Sequence, residues 1–529
     1  MAKKYQVIIV GGGPVGVGLA VDLGLRGISC LVVERHLEPQ RIPKGQSLQQ
    51  RTLEHFHVWG IENELRAARV MPKGYPIGGI TAWGDLNSDY WYGPAERGRP
   101  VQHFYYCKNE RLPQYQTEAV LRKKMESLPT VESRRGISAE TIEQGPDGVR
   151  VTVAKRDGSD REVLEADYVV GCDGAHSTVR EQVGITRGGV HHDQVMVLAV
   201  FRSKELHEKL KRFPERSTYR AMNSHSNGYY QFFGRVDVGE GWFFHAPVPA
   251  NTTKDNYDFH GLLEKIAGFK FAVEFDYVGF WDMRIAVAEK YQVGRVLIAG
   301  DAAHSHPPYG GYGLNSGLED ARNLGWKLAA VIDGWGGADL LQSYSDERRQ
   351  IFKEIGDDFI GRQIATEREF QARYSPEKDK AEFEAAWAKM STRGEERAHD
   401  YEPNYEGSTV VFGPPGGVCT AHGKHMIKAR PGHHLTPRAL SSGRDVYQEL
   451  GRGFNLIAFG ADDASVAAFE DAARAEGTPL MVIRDSYADG REEYESKLIL
   501  VRPDHFVVWT GDDVGGQAKE VIRKVTGRS

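Results

Sequence analysis

Tyr5-Gln6-Val7-Ile8-Ile9-Val10 runs directly into Gly11-Gly12-Gly13-Pro14-Val15-Gly16, and this junction decides the reading of the chain. A short apolar run that ends in glycines predicts a buried strand followed by a tight turn. Val17 to Arg26 then carries helix spacing, Gly27 stops it, and Cys30-Leu31-Val32-Val33 predicts a second strand. In that setting Gly-x-Gly-x-x-Gly is a dinucleotide fingerprint. Gly11 permits the turn, Gly13 lets the backbone approach a pyrophosphate, and Gly16 allows helix and strand to pack closely. Pro14 and Val15 lie in the same turn, at a helix N-terminus whose free N–H groups and dipole favour phosphate. Glu34 closes the second strand at about the 20-residue spacing expected of an acidic ribose ligand, and Arg35 borders the adenosine end. This unit alone leaves FAD and NAD open.

Two further strands end in glycine. Asp167-Tyr168-Val169-Val170 leads into Gly171-Cys172-Asp173-Gly174-Ala175-His176-Ser177-Thr178-Val179-Arg180, and Arg295 to Ala299 leads into Gly300-Asp301-Ala302-Ala303-His304. A loop, His306-Pro307-Pro308-Tyr309-Gly310-Gly311-Tyr312-Gly313-Leu314-Asn315, and a predicted helix from Leu318 to Ile332 follow. Residues 195–200 and 216–248 read instead as aromatic-rich strands of an inserted antiparallel sheet. By period two, Tyr230 and Phe232 share one face, as do Phe243 and His245; which face lines a pocket stays open. The charged stretch 376–399 predicts a solvated helical surface. Glu402-Pro403-Asn404-Tyr405 and Gly413-Pro414-Pro415-Gly416-Gly417 suggest a linker to a small α/β domain.

The three ordered glycine motifs resemble those of the flavoprotein aromatic hydroxylases, and the likeness extends through Asn323-Leu324-Gly325-Trp326 and Leu340-Leu341-Gln342-Ser343-Tyr344. The resemblance covers nearly all of the first 350 residues. It implies an α/β fold: a Rossmann-like FAD-binding domain (1–75, 100–185 and 285–400) with an inserted antiparallel β-sheet substrate domain (76–99 and 186–284). Residues 405–529 resemble the C-terminal thioredoxin-like α/β domain of the phenol and hydroxyphenylpropionate hydroxylase branch, here without Cys-x-x-Cys. FAD is the cofactor implied, with NADH or NADPH as transient reductant and O₂ as co-substrate. A phenolic or electron-rich ring would attack the distal oxygen of a flavin C4a-hydroperoxide.

The likeness also assigns residues. Asp301 would meet the ribityl hydroxyls, Asp173 belongs to the second fingerprint, and Gln114 matches a flavin contact. Backbone N–H groups of Gly313-Leu314-Asn315 would face the flavin N1 and O2 edge, and the Pro308 carbonyl would face the substrate hydroxyl. Tyr230, Phe232 and His245 are candidates for the substrate wall. Lys44 stands where the family carries Arg, keeping the charge but losing the planar fork. Gln46 lies where related phenol hydroxylases place an ionisable group. Two rival readings remain: the same fold oxidising a polyketide or antibiotic, by hydroxylation or Baeyer–Villiger insertion, and a flavin-binding scaffold without turnover.

Composition narrows the rest. The 529 residues have a net charge of −6 and are 40% hydrophobic and 26% charged, a globular balance without the basic excess of a nucleic-acid or anionic-membrane binder. No apolar run is long enough for a membrane span, and the four cysteines are too scattered for a disulfide framework. A reduced, cytoplasmic homodimer is expected. No metal site is expected: His191-His192 and His433-His434 are adjacent pairs, and His207-Glu208 lacks the second histidine of a zinc motif, with Lys211 in its place.

Overall fold

The computed structural model describes residues 4–93, 99–190, 194–223 and 226–528. The pair His191-His192 lies outside them. Five parallel strands form the centre of the first, eight-stranded sheet, in the order Val296–Ile298, Glu162–Gly171, Lys4–Val10, Cys30–Glu34 and Val131–Arg135. The strand Lys4–Val10 sits at its centre, and Val7, Ile8 and Ile9 are fully buried, as a run without polar alternation requires. The helix Pro14–Leu25 starts three residues earlier than its apolar spacing suggests, because Pro14 takes the first helical position. Likewise the helix expected from Leu318 begins at Tyr312 and runs to Ile332.

The second sheet has seven strands, in the order Glu274–Asp282, Gln194–Arg202, Gly241–Pro249, Gln231–Arg235, Thr218–Met222, Gly79–Trp83 and Trp91–Tyr92. Neighbours run antiparallel except Thr218–Met222 beside Gly79–Trp83. On one face Phe201, Tyr219, Phe233, Trp242 and Phe244 pack under the helix Phe259–Ala267. The opposite face turns toward the first sheet's glycine turns.

Two expectations change. The helix Lys380–Asp400, read as a solvated surface, buries Phe383, Trp387 and Met390 with Phe370 beside Trp83 of the second sheet. Its abundant charges occupy the other faces and mask the apolar stripe. The expected linker is also built in: Tyr401–Tyr405 pairs as a strand with Cys419–His422, and Glu402, Asn404 and Tyr405 are buried.

The C-terminal unit is a mixed four-stranded sheet, ordered Leu480–Asp485, Phe454–Phe459, Leu498–Val501 and Val507–Gly511, with helices Asp463–Ala475 and Ala518–Val525. It shares one apolar core with the long helix and its successor: Trp326, Trp335 and Leu340 pack with Phe454, Leu456 and Val521. Beside that core, the Glu347 carboxylate accepts from Arg502 at 2.8 and 2.9 Å, Lys327 at 2.7 Å and Ser408 at 2.6 Å. No helix among the described residues is long and apolar enough to cross a membrane.

Candidate active site

The first glycine turn shows a distinct reason for each glycine. Gly11 adopts φ +110°, which L side chains rarely take, and a Cβ there would meet the Cys172 carbonyl oxygen at 2.3 Å. A Cβ on Gly16 would lie 2.0 Å from the Gly11 oxygen. A Cβ on Gly13 would meet no atom of a non-neighbouring described residue within 4 Å, so this position faces open space. Gly13 caps the helix Pro14–Leu25, and Gly311 caps Tyr312–Ile332, both without a side-chain hydrogen bond. Two helix N-termini therefore keep free N–H groups and positive dipole ends. The Glu34 carboxylate accepts from Gly12 N at 2.7 Å and His36 N at 2.7 Å, fixing it at the strand end.

These groups open onto a cavity of about 1150 Å³. It exceeds the ~300–1,000 Å³ of an ordinary small-molecule pocket. Gly11, Gly13, Pro14, Val15, Glu34, Arg35, Lys44, Gln114, Asp173, Asp301, Pro308, Gly313 and Leu314 all line it. Gly16 stands behind the turn as packing. Asp301 looks into the cavity while protein surrounds its other sides; the lost hydration raises its carboxyl pKa. Its carboxylate has no hydrogen-bond partner among the described residues, whereas its carbonyl accepts from Arg187 at 3.0 Å.

Two of the expected residues use their side chains inside the protein. Asn315 spends its whole side chain inside the protein: Oδ1 accepts from Gln49 N and Thr52 Oγ1, and Nδ2 donates to Ser47 O and Gly311 O. Only its backbone remains for a cofactor. Asp173 likewise caps its own turn, accepting from Ser177 Oγ and from Val179 N at 3.1 Å.

The far wall is aromatic. Strand register puts Phe232 opposite His245 and Gly234 opposite Phe243, so both aromatic pairs left open by periodicity share one face. That face lines the cavity with Tyr230 and Trp281. His245 lies 5.1 Å from Phe232, 5.3 Å from Phe243 and 5.0 Å from Trp281, ring centre to ring centre. Burial lowers its pKa to about 3, so it is a neutral imidazole at working pH. The Tyr230 hydroxyl donates to Glu367 at 3.2 Å, and the Arg220 guanidinium sits 3.8 Å over the Tyr230 ring while pairing with Glu367. Tyr230 N also donates to the Tyr309 hydroxyl at 3.0 Å, tying the wall to the Pro308 turn.

Residues 4–358 match the FAD binding domain family. Across nearly the whole chain the protein is 31% identical to rifampicin monooxygenase of Streptomyces venezuelae, covering 96% of each. The chain belongs to the FAD-dependent monooxygenases. This monooxygenase is also 34% identical, over 66% of its length and 67% of the relative's, to the 12-dehydrotetracycline 5-monooxygenase/anhydrotetracycline 6-monooxygenase of Streptomyces rimosus. Among solved structures it resembles RebC with bound 7-carboxy-K252c at a TM-score of 0.84 and 27% identity, each chain fully covered. The monooxygenase is thus a class A flavin enzyme with FAD as cofactor. Sequence reading missed three contributors. Asp320 accepts from Gly300 N at 3.0 Å, His304 at 2.6 Å and Arg348 at 2.7 Å, and so holds the Asp301 loop. Glu367 comes from a helix beyond the flavin motifs. Arg111, three residues before Gln114, lines the same cavity.

Proposed function

We propose that this FAD-dependent monooxygenase hydroxylates an electron-rich aromatic ring, phenolic in character, by the flavin route the family resemblance implies. The observation that carries this is the single cavity in which the glycine turns and Asp301 face Tyr230, Phe232, Phe243, His245 and Trp281. Bound FAD would supply reduction by NADH or NADPH and the activation of O₂. The chain's own residues do the remaining work. Gly13 and the two bare helix ends would hold the pyrophosphate and flavin, with Glu34 on the ribose and Asp301 on the ribityl chain. Lys44, Arg35 and Gln114 would border the cofactor, and Pro308 would face the substrate hydroxyl. The aromatic wall would stack the ring and exclude water.

A second reading has its own support. The relatives carry rifampicin and tetracycline names, and the cavity has room for more than one ring, which favours a polycyclic, polyketide-type phenol. We propose the domain bounds 1–75, 100–185 and 285–400 for cofactor, 76–99 and 186–284 for substrate and 405–529 for the C-terminal unit, and a homodimer as the assembly. The test is NAD(P)H oxidation by the FAD-loaded protein with simple and polycyclic phenols. Stimulated oxidation and a product with one more hydroxyl and an unchanged ring count are expected. A ring-expanded product would make it a Baeyer–Villiger enzyme, and no stimulation by any phenol would overturn the reading.

A further inference from the structure

The cations of the cavity are almost all accounted for. Arg35 donates to His36, Lys44 to Gln40, Arg122 to Glu118, Arg135 to Glu126, Arg187 to the Asp301 carbonyl and Arg220 to Glu367. Arg111 differs. It lines the same cavity and is 5% exposed, yet both terminal guanidinium nitrogens are buried without a hydrogen-bond partner among the described residues. The neighbouring carboxylate, Glu110, is turned away and taken by Arg66 and Arg69. The ionisable groups that act on Arg111 are Tyr75 and a second cation, Arg235, and burial lowers its pKa to about 9. A buried guanidinium with no counter-charge is costly, and a fold retains it when a ligand supplies the anion.

Its position says which ligand. Arg111 belongs to a two-residue strand, Glu110–Arg111, paired with Ser47–Leu48, and Leu112 N donates to Gln46 O at 3.0 Å. Tyr75 and Arg235 stand at the seven-stranded sheet, since Tyr75 donates to Arg216 O and Arg235 ends the strand Gln231–Arg235. The cavity wall there includes Gly79, Ile80, Thr81 and Thr218 of the same sheet. Gln46 adds a buried side-chain amide whose oxygen and nitrogen both lack hydrogen-bond partners among the described residues. Arg111 thus stands where the seven-stranded sheet meets the segment 45–48 beside Gln114.

We infer that Arg111 is an anion anchor for the substrate: the aromatic molecule carries a carboxylate, or an acidic hydroxyl already ionised, that pairs with this guanidinium, with the Gln46 amide as a further polar contact of the same cavity. The inference rests on the proposed aromatic hydroxylation and narrows its substrate to acidic aromatics. A planar guanidinium gives two parallel hydrogen bonds to a carboxylate, which fixes orientation as well as affinity.

The probes are a hydroxynaphthoate and its uncharged carboxamide, titrated into FAD-loaded full-length protein and followed by perturbation of the flavin spectrum. The wild type should bind the carboxylate about tenfold more tightly or better, the order expected for a charge-assisted pair. Arg111→Met should erase that preference while FAD content stays unchanged, and Arg111→Lys should keep part of it. Equal affinity for the two probes in the wild type, or an undiminished preference in Arg111→Met, would overturn the anchor. Loss of FAD from Arg111→Met and Arg111→Lys alike would assign the cation to a cofactor phosphate instead, and overturn it too. Should Arg111→Met fail to fold, the wild-type preference and the Arg111→Lys titration still decide. An Arg111-dependent preference without oxygenation of either probe would leave the anchor standing and count against the hydroxylation reading; oxygenation of both probes without preference would do the reverse.

Discussion

Gly13 and Gly16 separate binding from folding within one turn. Gly13 has ordinary φ of −73° and open space where a Cβ would go, so Gly13→Val should purify without flavin yet melt where flavin-stripped wild type does. Gly16→Val pushes atoms into the Gly11 carbonyl and should lower stability by about 1–3 kcal/mol, the usual cost of overpacking. Thermal melts and flavin absorbance of the two variants check this together. Asp301 and Asp320 make a similar pair. Asp301→Ala removes a carboxylate without hydrogen-bonded protein partners and should weaken FAD retention at little cost in stability. Asp320→Ala takes from His304 and Arg348 their buried carboxylate partner and should cost about 3–5 kcal/mol, read by chemical denaturation. The glycines and Asp301 were legible because close approach and strand-end position admit few residue types. Asp320 was not, since an aspartate in a helix reads as surface until its buried partners are known.

Among the elements, the hairpin Gln231–Arg235 and Gly241–Pro249 shapes the aromatic wall of the cavity through its register. Periodicity gave the two faces of each strand, but only pairing reveals that Phe232, Phe243 and His245 lie on the same one. Gly234 completes the arrangement: a Cβ there would sit 1.9 Å from the Phe243 ring, which folds over the bare backbone. Gly234→Ala should therefore push Phe243 into the cavity, weakening binding of an aromatic ligand severalfold while FAD binding persists; flavin-perturbation titration measures both. The helix Lys380–Asp400 shows the opposite limit. Its Phe383, Trp387 and Met390 have helical spacing, yet the surrounding charges predicted a free surface, and only the aromatic edge at Trp83 explains the stripe.

At the scale of the whole molecule, the C-terminal unit is welded to the flavin unit by an apolar core and by buried charge. Burial alone would raise the Glu347 carboxyl, but Arg502 and Lys327 outweigh it and hold the group far below the usual carboxylate range. Its contribution is therefore complete above the ordinary Glu value of about 4.3 and fades as the pH falls toward the folded value. The stability gap between wild type and Glu347→Gln should be constant near neutrality and shrink in acid, as denaturation midpoints across pH would show. Removing residues from about 405 onward strips the cover from Trp326, Trp335 and Leu340, and the shortened chain should aggregate. The strand–helix pattern of this unit was legible; its fusion was not, because no local pattern shows that Glu347, 155 residues away in sequence, meets Arg502. On the proposed function, one cavity brings FAD and an aromatic ring together so that O₂ oxidises the ring. Turnover of a panel of acidic phenols under ¹⁸O₂, with product mass spectrometry, tests it most directly. One ¹⁸O atom in a hydroxylated product is predicted; label found only in hydrogen peroxide and water, or a product oxygen drawn from water, would contradict the account.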